Sequence, residues 1–312
     1  MLDNDIPTPH AKFFNNHNEA IKYGNEVGFD KLVIKADGLA SGKGVFLPKS
    51  KLEMEEVIKS LIIEKKLGIS GESILLEDRI YGPEVSVFCF TDGSNFSEPI
   101  AICDYKRAFE DDKGPNTGGM GCYTPPEFWT DNLSNNIIEN IITPTLKSMQ
   151  KNQTPFAGML YTGIMLTKSG PKVIEYNCRF GDPECELIIP MFEGNLSEVL
   201  FDISNENFDP KKVKWKKQKG VCVVLCSGGY PESYQTGFEI FGLDNIKKNL
   251  IFHAGTKKSE NKIVTNGGRV LVLSNINETI SESRTTIYQE IDRIKFEGSF
   301  YRKDIALRAE EK

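Results

Sequence analysis

The chain has 312 residues, room for roughly two domains of about 100–200 residues each. An apolar share of 39% beside 26% charged residues is enough to bury a core, and no apolar run nears the ~20 residues that span a bilayer, so no membrane partner is expected. A net charge of −6 argues against a general nucleic-acid binder, which would normally be basic.

The opening Met-Leu-Asp-Asn-Asp-Ile-Pro carries two acids and no apolar stretch, so neither a signal nor a transit peptide is expected and the reading is cytoplasmic. Of seven cysteines, Cys89, Cys103, Cys222 and Cys226 sit in apolar, strand-like runs, which suits buried, reduced thiols. With only His10, His17 and His253 as histidines, a zinc site is not expected; a metal, if present, should be a hard cation on carboxylates.

In chain order, a helix is predicted over 16–28, with Asn16 or Asn18 as cap and Ala20, Ile21 and Val27 apolar. A short strand (31–36) feeds a glycine-rich turn (37–45). An amphipathic helix (50–66) follows, with Leu52, Val57, Ile58, Leu61 and Ile62 on its inner face. Strands are expected at 73–76 and 83–91, the second alternating Val85, Val87 and Cys89 with small or polar neighbours. Asp92-Gly93 is a hairpin signal before another strand at 99–103.

Residues 104–121 interrupt this pattern with three basic side chains, four carboxylates and glycines at 114, 118, 119 and 121. So charged a segment reads as unpackable, either a solvated hairpin tip or a backbone that lets a ligand approach closely. Next come a long helix (132–149), strands at 157–166 and 172–176 around a Lys-Ser-Gly-Pro turn, and helices at 183–192 and 195–203. The lysine-rich stretch 205–220 marks a boundary. Strands at 221–226, near 249–254 and at 269–274, with a helix at 279–294, then make a compact second domain.

Two constellations carry chemistry. Lys35 and Lys43 flank Gly38, Gly42 and Gly44, a loop whose amides can wrap a polyphosphate while the lysines neutralise different phosphates. Gly44 stands where a Walker A loop needs Ser or Thr, and a tight hairpin with surface lysines is the plainer alternative. At a later strand end Glu175 and Asn177 lie two residues apart, on one face, so their oxygens can share a hard cation or simply pair with each other. Arg179 beyond them could grip a carboxylate or phosphate. Asp182 before Pro183 is either functional or a helix cap.

Together these segments resemble the ATP-grasp ligases, and within them the phosphoribosylamine–glycine ligases (glycinamide ribonucleotide synthetases) of purine biosynthesis. The matching motifs are Lys35-Ala-Asp-Gly-Leu-Ala-Ser-Gly-Lys-Gly44, Asp104-Tyr-Lys-Arg-Ala-Phe109, Gly114-Pro-Asn-Thr-Gly-Gly-Met-Gly121, Glu175-Tyr-Asn-Cys-Arg-Phe-Gly-Asp-Pro-Glu184, His253-Ala-Gly-Thr256, Thr265-Asn-Gly-Gly-Arg-Val-Leu271 and Tyr301-Arg-Lys-Asp-Ile305. Cys178 and Cys185 depart from the family's more usual Val and Thr.

The resemblance implies an α+β architecture: an ATP-grasp fold of two α+β subdomains clamping ATP (1–215, with a mobile lid at about 12–82), then a small C-terminal α/β domain (216–312). It implies that ATP phosphorylates glycine to glycyl phosphate, which the amine of 5-phosphoribosylamine then attacks to give glycinamide ribonucleotide, with Mg²⁺ or Mn²⁺ as cofactor. ATP would be held by Lys35, Gly42, Lys43, Gly44, Glu77, Asp78, Ile80 and Glu84, and the metal by Glu175 and Asn177. Arg179, Lys106 and Asp104 would be catalytic, and Asn116, Thr117, Gly118, Gly119, Arg179 and Asp182 would contact the substrates. The family also carries an N-terminal domain with a Gly-x-Gly-Gly-Arg-Glu-His loop, nothing like which precedes Met1 in this sequence; a longer reading frame or a partner chain is expected to supply it. The alternatives are another ATP-grasp carboxylate–amine ligase, or an ATP-binding module that is inactive without that domain.

Overall fold

The computed structural model describes residues 1–38, 40 and 44–310, so the expectations for Gly42 and Lys43 lie outside the described residues. The chain forms two compact units. The first comprises Met1–Leu2, Pro7–Pro83 and Met165–Ile174; the second comprises Asp3–Ile6, Glu84–Ile164 and Glu175–Lys312.

In the first unit β1 (Ala11–Phe14), α1 (His17–Val27), β2 (Leu32–Ala36), β3 (Val45–Phe46), α2 (Lys51–Ile62) and β4 (Ile74–Asp78) follow in order. The strands make an antiparallel sheet in the order β1-β4-β2-β3. Asn16 caps α1 by accepting from the amides of Asn18 and Glu19, and Ser50 caps α2 by accepting from that of Glu53. Alternate residues Leu32 and Ile34 of β2 and Ile74 and Leu76 of β4 meet Ala20 of α1 and Met54, Ile58 and Leu61 of α2 in one core. Leu52 is not part of it: at 72% exposure it lies two positions before Met54, on the opposite side of the helix.

The second unit holds most of an eight-stranded sheet. Its strands are β5 (Glu84–Thr91), β6 (Ile100–Asp104), β9 (Gly121–Thr124), β10 (Gly158–Thr167), β11 (Gly170–Asn177), β14 (Lys219–Cys226), β15 (Leu250–His253) and β18 (Arg269–Asn277), ordered β11-β10-β5-β6-β9-β14-β18-β15. Three short antiparallel pairs flank it: β7 (Arg107–Phe109) with β8 (Lys113–Asn116), β12 (Phe192–Glu193) with β13 (Lys214–Trp215), and β16 (Thr256–Ser259) with β17 (Lys262–Thr265). None of the three is legible as strand in the sequence, because each is too short and too polar for a period to show. β5, between β10 and β6, is buried on both faces rather than alternating.

The expected long helix is α3 (Asp131–Ile137), a five-residue π segment (Ile138–Ile142) and α4 (Thr143–Lys151). Pro144, in the first turn of α4, cannot donate a backbone bond to the turn before it, which accounts for the widened turn there. After α5 (Cys185–Met191) and α6 (Leu196–Ser204), α7 (Ile280–Glu290) opens on a full capping box between Thr279 and Glu282.

Residues 104–121 are the largest departure from expectation. Tyr105, Ala108, Met120 and Gly121 are buried, and the charges project from a β7–β8 hairpin anchored by those few apolar positions.

Candidate active site

In the first unit β2 carries Lys35 beside β4. Its Nζ lies 2.7 Å from Glu77 Oε1 and donates to the Ile174 carbonyl at 2.8 Å. Glu77 is buried; burial raises its pKa, against the pull of the Lys35 ammonium. Asp78 and Ile80 continue the same edge half-buried, with the Asp78 amide donating to the His10 carbonyl at 2.8 Å. Gly44 is buried where the loop returns, its carbonyl accepting from the Ala36 amide.

In the second unit Lys106 follows β6, and its Nζ reaches Glu84 Oε2 at the start of β5, 2.7 Å away. Asp104 and Glu184 face the same ammonium. Burial disfavours the charge on Lys106, but Asp104 and Glu84 more than offset this and hold its pKa well above the ordinary lysine value. Burial likewise raises Asp104, with Lys106 pulling it back and Glu84 and Glu175 adding to the rise. Glu184, buried at 3% exposure, is pushed up to about 7, first by burial and then by Asp104. Tyr161 bonds it, and shares a 2.8 Å hydrogen bond with Ser86. A Cβ at Gly181 would collide with the Glu184 carboxylate, so only glycine lets that side chain fold back over the loop.

Glu175 and Asn177 end β11 on one face, the Asn177 Nδ2 donating to Glu175 Oε1 at 3.3 Å. Arg179 is exposed and donates to the Phe180 carbonyl at 2.7 Å. Among the described residues no three His, Cys, Asp or Glu side chains form a metal cage. The oxygen donors of Glu175 and Asn177, beside a surplus of carboxylates, fit a hard cation that takes its remaining ligands from elsewhere.

The glycine-rich end of the 104–121 segment is pinned. The Thr117 amide and hydroxyl both donate to the Lys106 carbonyl, at 2.7 and 2.9 Å. The Gly118 amide donates to the Tyr230 hydroxyl at 3.0 Å, and its carbonyl accepts from Arg269 Nη1 at 3.0 Å. The same Arg269 nitrogen binds Asp182, at 2.6 Å to the carbonyl and 3.0 Å to the carboxylate. Asp182 is therefore not the helix cap: Glu184 precedes α5 and makes no side-chain cap bond. Gly119, at φ +126°, lies so close to Pro183 that a Cβ would strike its ring. Asn116, opposite Arg107 in the hairpin, is exposed.

Four residues here have no role assigned from the sequence: Glu184, Tyr161, Tyr230 and Arg269. Glu184 and Arg269 stand inside quoted motifs, but only the fold shows what they touch.

The phosphoribosylglycinamide synthetase ATP-grasp (A) domain matches residues 1–185, more than half of the chain, and the C domain of the same enzyme matches residues 220–308. The chain belongs to the phosphoribosylglycinamide synthetase family. It is 42% identical over 306 residues to a phosphoribosylamine–glycine ligase of Caldanaerobacter subterraneus, covering 98% of this chain and 73% of that protein. To the human trifunctional purine biosynthetic protein adenosine-3 it is 41% identical, covering 97% of this chain and 30% of the larger protein. The crystal structure of a phosphoribosylamine–glycine ligase from Thermotoga maritima superposes with a TM-score of 0.89 at 34% identity, covering 98% of this chain and 76% of that one.

Phosphoribosylglycinamide synthetases are ATP-grasp ligases that form a carbon–nitrogen bond. Membership gives the chain that function: ATP-dependent ligation of glycine to 5-phosphoribosylamine in purine biosynthesis. Among the described residues no helix is long and apolar enough to cross a membrane.

Proposed function

We propose that the two clusters divide the ligation between them. Lys35, Gly42, Lys43 and Gly44 take the phosphates of ATP, Glu77, Asp78 and Ile80 frame its base, and Glu84 meets its ribose. Glu175 and Asn177 hold a divalent cation, Mg²⁺ or Mn²⁺, which when bound would offset the negative charge of the transferring phosphoryl group. Arg179 holds the glycine carboxylate or the acyl phosphate, and Asp104, Lys106, Asn116, Thr117, Gly118, Gly119 and Asp182 face the amine. The chain is divided as an ATP-grasp domain over 1–215, with a lid at about 12–82, and a C-terminal domain over 216–312, and it works in the cytoplasm.

The observation that carries this reading is the excess of carboxylates over cations around Lys106. Among the described residues Glu84, Asp104 and Glu184 confront the Lys106 ammonium, with Glu175 adding to the field at Asp104. Such a site favours a cation and can receive a proton. In the reaction the glycine carboxylate attacks the γ-phosphorus of ATP, giving glycyl phosphate and ADP. The amine then attacks the acyl carbon, phosphate leaves, and the amine's proton passes to Asp104, whose raised pKa suits a base.

The test is titration with ATP alone, then phosphate release measured with glycine and 5-phosphoribosylamine added separately and together. Release that needs both supports ligation. Release with other amines at equal rate overturns the substrate assignment, and ATP binding without release overturns the catalytic one.

A further inference from the structure

Arg302 heads the large, fully buried side chains among the described residues, with 1% exposure. Burying a guanidinium costs several kcal/mol unless every donor finds a partner, so its contacts are informative. It belongs to Tyr301-Arg-Lys-Asp-Ile305, a motif to which the ligation chemistry above gives no role. Its Nε and Nη2 grip both oxygens of Asp304, at 2.8 and 2.6 Å. Its Nη1 donates to the Arg107 carbonyl and to Asp112 Oδ1, each at 3.0 Å, and its plane lies 4.7 Å over the Tyr105 ring.

The neighbours of Arg302 repeat the pattern. Asp304 accepts from the Asp111 amide at 3.0 Å, Glu110 accepts from the Lys303 amide at 3.3 Å, and the Tyr105 hydroxyl accepts from the Ala306 amide at 3.0 Å. Both residues flanking Lys106 are therefore held from the C-terminal segment, as is the turn of the β7–β8 hairpin. Arg107 is also the register partner of Asn116, and Thr117 hangs from the Lys106 carbonyl. A buried fork of fixed N–H directions defines the hairpin's place in a way that a lysine or an apolar side chain would not.

We infer that Arg302 is a positioning residue of the ligation reaction: braced by Asp304, it holds the β7–β8 hairpin through Arg107 and Asp112 and so sets Lys106 and Asn116–Gly119 against the amine substrate. The inference rests on the reading that this segment faces the amine.

Asp112→Asn and Arg302→Lys test it in the full chain. Asp112 is an exposed side chain, and its change leaves the Arg302–Asp304 grip in place, so folding is kept even if Arg302→Lys fails to fold. The readouts are amide hydrogen exchange over 105–119, Tm, and KM for each substrate. For Asp112→Asn the expected result is faster exchange in the hairpin, a Tm within about 2 °C of the parent, and a KM for phosphoribosylamine raised about 3- to 10-fold with KM for ATP unchanged. Arg302→Lys should move the same KM further, by about 10- to 100-fold.

Unchanged amine KM in Asp112→Asn overturns the inference, as does an equal rise in KM for all substrates. Lys106→Ala separates the two levels. If it raises the amine KM while Asp112→Asn does not, only the positioning role falls. If Lys106→Ala leaves amine kinetics unchanged, the amine-facing reading falls and the inference with it.

Discussion

Lys35 in the first unit and Lys106 in the second each meet a glutamate at 2.7 Å, yet their surroundings differ in kind. Lys35 is balanced: its ammonium meets the Glu77 carboxylate and the Ile174 carbonyl. Lys106 is outnumbered by Glu84, Asp104 and Glu184. The first arrangement can exchange Glu77 for a phosphate with little change in net charge. The second is unsettled until a cation or a proton arrives. Equal ion-pair distances therefore say little about what a site does; the count of charges around the pair says more.

The largest effect that would break this contrast lies on the metal side. Glu175→Ala should lower ATP turnover by more than about 10³-fold, and Lys35→Ala by about 10²- to 10³-fold, read as ADP release; near-normal turnover in either would sink the assignment. Chelation should abolish turnover in the parent, with recovery on adding Mg²⁺ or Mn²⁺. Next in size is stability. Ile58→Ala empties part of the small core of the first unit and should cost about 2–5 kcal/mol by denaturant unfolding, whereas Leu52→Ala should cost under about 0.5 kcal/mol.

A smaller effect comes from Glu184. Its folded pKa near 7 lies above the ordinary 4.5, so the folded state binds the proton more tightly than the unfolded chain. Stability is then greatest below about pH 4.5 for this group and declines as pH rises to about 7, remaining low above that. Glu184→Gln should remove the decline, gaining about 3 kcal/mol at pH 8 and almost nothing at pH 4, as denaturation at both pH values would reveal. A flat difference between the two would mean that the carboxylate surplus is neutralised in another way. Smallest is Arg269→Lys, which loses the grip on Gly118 and Asp182; about a 10-fold rise in amine KM is expected, with kcat for ATP cleavage less affected.

Much of this was legible beforehand because it is local. Asn16 caps its helix through amides two and three residues away, and Glu175 with Asn177 needs only the two-residue period of a strand. The inner face of α2 was half legible: Ile58 and Leu61 are in the core, but Leu52 fits a helical period only if the partner's position is ignored. The β7–β8 hairpin reads as unpackable in the sequence because its anchors, Tyr105 and Ala108, are few among many charges.

Residue type and short spacing are enough for the family, the charged motifs and most helices and strands, though not for the three short strand pairs. Tertiary structure alone decided which charges share a neighbourhood. Glu184 acquires its raised pKa first from burial behind Gly181 and then from Asp104, 80 positions away in the chain. Arg302 meets Asp112 across 190 positions. Desolvation and Coulomb energy depend on distance through space, which sequence spacing does not encode once the chain has turned back on itself.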